Sequence, residues 1–108
     1  MNAPALLVWC PFPDLASARQ TAAQLIPQGL AACVHIFPGG ESHYVWQGQL
    51  EQSAEIMTVW KTTPDRWEAL SQKLAALHPY EVPAILATTV TAGYPPYLDW
   101  LHESTAPP

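Results

Sequence analysis

Tyr44-Val45-Trp46-Gln47-Gly48-Gln49-Leu50 is the stretch that decides the fold. Gln47-Gly48 reads as a tight two-residue turn, since Gly in such a pair supplies the positive φ that a twisted hairpin needs. His43 to Trp46 arrives at the turn extended, and Gln49 to Lys61 runs back as a long strand. Upstream, Ala32 to Phe37 reads as a strand that stops at Pro38-Gly39-Gly40, and Leu6 to Cys10 as a first strand ended by Pro11 and Pro13. Between them Asp14 is placed to cap a helix, Leu15, Ala18, Ala22, Leu25 and Ile26 fall at helical spacing, and Gly29 closes it. Downstream, Pro64 opens a second helix whose stripe is Trp67, Leu70, Leu74 and Leu77. Ala84 to Val90 then reads as a last core strand and Tyr94 to Glu103 as a short terminal helix. The order is β-α-β-β-α-β, an α+β ferredoxin-like sandwich with a long central hairpin and a short C-terminal helix. At 108 residues it is a single domain over 1–108, with 1–4 and 106–108 expected to be loose.

Two long helices cover one face of such a sheet, yet the strands are apolar on both. Leu6, Val8 and Cys10 oppose Leu7 and Trp9, while Ile56, Thr58 and Trp60 oppose Met57 and Val59. Only 12% of the chain is charged and 49% is hydrophobic, so apolar surface must be hidden against something. Self-association is the simplest answer. Four Lys and Arg against nine Asp and Glu, a net charge of −5, argue against a nucleic-acid partner. No apolar run approaches the ~20 residues of a membrane span, so no membrane is expected, and a soluble, cytoplasmic protein is.

Chemically useful groups concentrate in His78-Pro79-Tyr80-Glu81-Val82-Pro83. The two prolines push His78 and Val82 towards extended backbone, so the connector is stiff. His78 at a helix end reads either as a partner for the last carbonyls and the helix dipole or as a metal ligand. Cys10 at the end of the first strand reads either as a small buried hydrophobe or as a soft thiolate ligand for copper. Cys33 reads as packing, His35 as a core or cleft residue, and His43 and His102 as solvated. Lys61 and Glu81 suit an ion pair at a subunit contact. Alternatively Lys61, Tyr80, Glu81 and Trp46 line a cleft between subunits for a small anionic or aromatic ligand. No P-loop, G-x-G-x-x-G, H-E-x-x-H or G-x-S-x-G is present, and the expectation is a protein that is not an enzyme.

Five blocks in order carry a resemblance. They are Leu30-Ala31-Ala32-Cys33-Val34, Tyr44-Val45-Trp46-Gln47-Gly48, Trp60-Lys61-Thr62-Thr63, the His78–Pro83 connector and Tyr97-Leu98-Asp99-Trp100-Leu101. From about Leu6 to Thr105 the chain resembles the CutA divalent-cation tolerance family. The resemblance implies a homotrimer whose sheets pack around a three-fold axis, and it puts Cys10 and His78 on positions proposed to bind copper. It also implies kinship with the PII signalling proteins, which bind nucleotides between subunits. The chain departs from the family pattern at Leu77, where a second histidine sometimes stands, and at Ala84, where a glutamate is usual. The expected function is therefore a non-catalytic homotrimer for copper binding or tolerance, with weak copper as the possible cofactor. The alternative is a PII-like sensor or scaffold that uses the inter-subunit cleft.

Overall fold

The computed structural model describes residues 4–106. Its elements are β1 (Ala5–Phe12), α1 (Leu15–Leu25), β2 (Cys33–Trp46), β3 (Gln49–Thr62), α2 (Pro64–Leu77), β4 (Leu86–Val90) and α3 (Pro95–Thr105). The sheet order is β2-β3-β1-β4 with every neighbouring pair antiparallel. This is the expected ferredoxin-like α+β arrangement. β1 and β2 run parallel with β3 inserted between them, as the split βαβ requires.

The hairpin dominates the shape. β2 and β3 have 14 residues each, about 46 Å of strand at full extension, and the molecule measures 48 × 26 × 23 Å. Gln47 (φ 52) and Gly48 (φ 78) both lie in the left-handed region, which matches the twist of the flanking strands. Pro38-Gly39-Gly40 does not end the second strand as expected. It is a bulge in one continuous strand, with the register shifting between Phe37 and Gly40. Gly40 has no room for a side chain there, since a Cβ would lie 2.8 Å from the Glu55 carbonyl oxygen.

β1 likewise runs through Pro11 to Phe12. β4 pairs with β1 only as far as Trp9, so Pro11 has an open side. Its carbonyl bonds the His78 ring instead of β3, and a strand residue turns its N and its O to the same side. The amide hydrogen that proline lacks is therefore not missed. Helix α1 ends earlier than its pattern suggested, at Leu25 with Ile26 as cap, because Pro27 follows. Gly29 (φ 72) completes the turn by bonding Ile26 O. Asp14 caps α1 as expected, accepting from Ser17 N at 2.7 Å. The last strand begins at Leu86, two residues later than Ala84.

The core lies between the sheet and the α1/α2 layer. Val8, Cys10, Phe12, Trp60, Leu25, Leu70 and Leu74 are completely buried there. Its buried polar atoms are paired. The Trp60 indole N–H donates to Thr58 Oγ1 at 2.8 Å, and Thr58 Oγ1 donates to the Cys10 carbonyl at 2.5 Å. Thr62 Oγ1 donates to Leu30 O at 2.7 Å.

The second sheet face is only partly bare. α3 lies across one end of it, where Leu98 and Leu101 bury against Ala5 with Ala32 and Val90 alongside. Beyond α3 the face stays open, with Trp9, Phe37 and Leu86 at 38%, 52% and 68% exposure. The expectation of loose ends falls mainly on 1–3 and 107–108, outside the described residues. Within them Pro4 O meets His102 Nε2 at 2.7 Å and Ala106 caps α3.

Truncating the core tests this layering. Trp60→Ala should cost about 3–5 kcal/mol, since it removes a large, fully buried side chain. Thr58→Val should cost about 1–3 kcal/mol by leaving the buried indole N–H without an acceptor. Urea unfolding at one fixed protein concentration measures both.

Candidate functional site

The end of β1, the hairpin and the α2–β4 connector converge. His78 organises the meeting. α2 stops there because Pro79 follows, and His78 is extended at φ −73, ψ 139. Its ring lies over Phe12, with centroids 4.4 Å apart and planes at 28°, and against Tyr80 at 4.9 Å. Tyr80 N–H donates to Nδ1 at 3.1 Å, so Nδ1 carries no proton. Nε2 then holds the proton and donates to the Pro11 carbonyl at 2.7 Å. The ring is neutral, 8% exposed, and bonded at both nitrogens. It serves neither the α2 carbonyls nor, as it stands, a free ligand position. To coordinate a metal it must release one of these bonds.

Cys10 is fully buried on the helix-facing side of β1. Burial, with a smaller contribution from the Glu55 charge, pushes its thiol up to about 12. It is therefore a protonated, protected thiol at neutral pH, and a metal has to displace its proton. Among the described residues no three His, Cys, Asp or Glu side chains cluster as a ligand set. Leu77 packs against the core.

Beside His78 lies an open cleft of about 500 Å³. Tyr44 and Trp46 from the hairpin form one wall, and Tyr80, Val82 and Ala84 from the connector form the other. Pro11, Ser53 and Glu55 complete the lining. The structure thus brings together two of the four expected cleft residues, Trp46 and Tyr80. Tyr80 is 38% exposed, and its phenol is raised by partial burial and then by the charges of Glu55, Tyr44 and Asp14.

Lys61 is not there. It stands at the C-terminal end of β3, its Nζ 5.2 Å from the Tyr97 ring centroid. α2 starts three residues later and carries the chain about 21 Å back before Glu81 is reached. Within one chain Lys61 and Glu81 therefore lie beyond opposite ends of α2, so the ion pair expected at a subunit contact would have to join two copies, and Glu81 is exposed on the connector. Cys33 is half-buried, His35 is exposed, and His43 bonds Glu41 at 2.6 Å on the hairpin surface.

Glu55 is the residue sequence reasoning missed. Nothing in Gln49-Leu50-Glu51-Gln52-Ser53-Ala54-Glu55 sets it apart from the other polar residues of the strand. Its Oε1 accepts from the Ser42 hydroxyl across the hairpin, and its Oε2 is buried without a hydrogen-bond partner among the described residues. The only signal was its position two residues before Met57, on the same strand face. In place of the expected lysine, the cleft holds a carboxylate.

The relatives agree with this architecture. The family described as CutA1 divalent ion tolerance protein matches residues 6–104. A protein named divalent-cation tolerance protein CutA, from Escherichia coli, is 41% identical over 103 residues, covering 95% of this chain and 92% of that protein. CutA of Xylella fastidiosa superposes with a TM-score of 0.93 at 38% identity, over 94% of this chain and 98% of its own. The periplasmic divalent cation tolerance protein CutA of Archaeoglobus fulgidus gives 0.91 at 30% identity, over 94% and 99%. With sequence and fold matched over almost its whole length, the chain belongs to the CutA1 divalent ion tolerance family.

Proposed function

We propose that this chain is a non-catalytic divalent-cation tolerance protein that works as a cytoplasmic homotrimer and takes up copper through Cys10 and His78. The observation that carries the reading is the family match over residues 6–104, with relatives named for divalent-cation tolerance. The bare part of the sheet supports self-association. Trp9, Phe37 and Leu86 are too apolar and too close together on one face to be left to water. Copper is favoured over harder ions by the ligand types, a thiol and an imidazole. His78 bonds the carbonyl of the residue after Cys10, so both groups belong to the same end of β1. Binding there is weak, because the thiol must lose its proton and His78 one hydrogen bond.

A second reading rests on a different observation, the aromatic cleft. Tyr44, Trp46 and Tyr80 offer ring faces to a small organic ligand, as a sensor or scaffold would require.

Light scattering and metal titration test the assembly and the copper site. Light scattering should find a trimer at micromolar protein, and Phe37→Glu with Leu86→Glu should dissociate it. A wild-type monomer would refute the assembly. Titration with Cu(I) should give binding that tightens by about tenfold for each pH unit between about pH 6 and pH 8, as one thiol proton is displaced. The sign follows from a thiol protonated throughout that range. Cys10→Ser and His78→Ala should each lower Cu(I) affinity, and unchanged affinity in both would remove the site. Zn(II) should bind less tightly than Cu(I).

A further inference from the structure

We propose that the cleft between the hairpin and the α2–β4 connector is a binding site for a small organic cation, an alkylated ammonium group, held by Glu55 and the rings of Tyr44, Trp46 and Tyr80. The proposal rests on the small-molecule reading of the cleft and is independent of copper.

The charge pattern carries it. The chain has four Lys and Arg in all, and none of them lines the cleft. An anion would find no counter-charge there. Glu55 supplies a negative one, and its field reaches the wall, since it contributes to raising the Tyr80 phenol. Ser42 holds one carboxylate oxygen, which fixes the group's orientation, while Oε2 is buried and has no donor among the described residues. With one of its oxygens lacking a donor, the carboxylate keeps an uncompensated negative charge, and a cation in the cleft is attracted to it through space.

The ring faces decide the kind of cation. Tyr44, Trp46 and Tyr80 present π-surfaces to the same space, and such faces attract ammonium groups whose methyls shed water easily. A hard divalent ion needs several oxygen ligands. The cleft offers a single carboxylate and otherwise only the neutral hydroxyls of Ser53, Tyr44 and Tyr80, of which Ser53 and Tyr44 already lie 3.5 Å from each other. Ala84 adds only a methyl group to the opposite wall. The volume of about 500 Å³ admits a tetraalkylammonium with room for one longer arm.

The test uses the full-length protein in its native oligomeric state, with titration calorimetry as the readout. The probes are tetramethylammonium, its neutral isostere neopentyl alcohol, and benzoate. Tetramethylammonium should bind in the millimolar range and neopentyl alcohol roughly tenfold more weakly, since only the former gains cation–π and carboxylate attraction. Glu55→Gln retains an oxygen to accept from Ser42 and should remove the preference. Trp46→Leu, at a residue 59% exposed and so without a core role, should weaken tetramethylammonium by roughly fivefold or more. If benzoate or neopentyl alcohol binds as well as tetramethylammonium, the cation proposal is overturned while the small-molecule reading stands. If no probe binds, because a second copy fills the cleft or for any other reason, both are overturned. Unchanged binding in Glu55→Gln and Trp46→Leu would place the cation elsewhere and overturn the site.

Discussion

His78 is bonded at both ring nitrogens at once, to the Pro11 carbonyl and to the Tyr80 amide, and the functional end of the molecule depends on that double bond. The first contact ties the C-terminus of α2 to the end of β1. The second folds the connector back over the ring, so that Tyr80 faces the hairpin. Phe12 supplies the surface on which the ring lies. Without this clamp the connector would have no reason to form one wall of a cleft. The prolines at 79 and 83 reduce the entropy the connector loses on being held, but they do not fix its direction.

The same clamp limits the chemistry of the histidine. A ring that accepts from a backbone amide and donates to a backbone carbonyl is locked as one neutral tautomer. Cys10 is locked in a different way, by burial beneath the helices, which keeps the thiol protonated. Both groups are of the type that binds soft metals, and both are held in their non-ligating forms. A soft metal must therefore compete with structure.

The sheet is asymmetric in its cover. α1 and α2 close one face around Trp60, and α3 closes an end of the other around Ala5, Leu98 and Leu101. The uncovered remainder runs from Trp9 and Leu86 on one side of the already buried Val59 to His35 and Phe37 on the other. The cleft opens beyond the end of this strip, since Pro11 and Glu55 lie on the strand face that carries Trp9 and Met57. The proposed assembly, if it occurs through the strip, would bring a second copy close to the cleft.

The order of elements, the hairpin turn, the Asp14 cap, the Trp67–Leu77 helical stripe and the double apolarity of the strands were all legible in the sequence, because each depends on residues near one another in the chain. Period and turn chemistry are local properties, and the five family blocks are local too. Three features were decided by tertiary structure. Pro11 stays within β1, and Pro38-Gly39-Gly40 within β2, because the neighbouring strands continue, and a proline is tolerated where it has no partner to donate to. Lys61 and Glu81 stand at opposite ends of α2, a separation set by the direction of the helix and invisible in their residue types. Glu55 is not set apart along the strand and becomes the carboxylate of a cleft only because His78 draws Tyr80 and Ala84 across from it. Which groups share a site depends on contacts between residues far apart in sequence, and those are fixed only when the core around Trp60 closes.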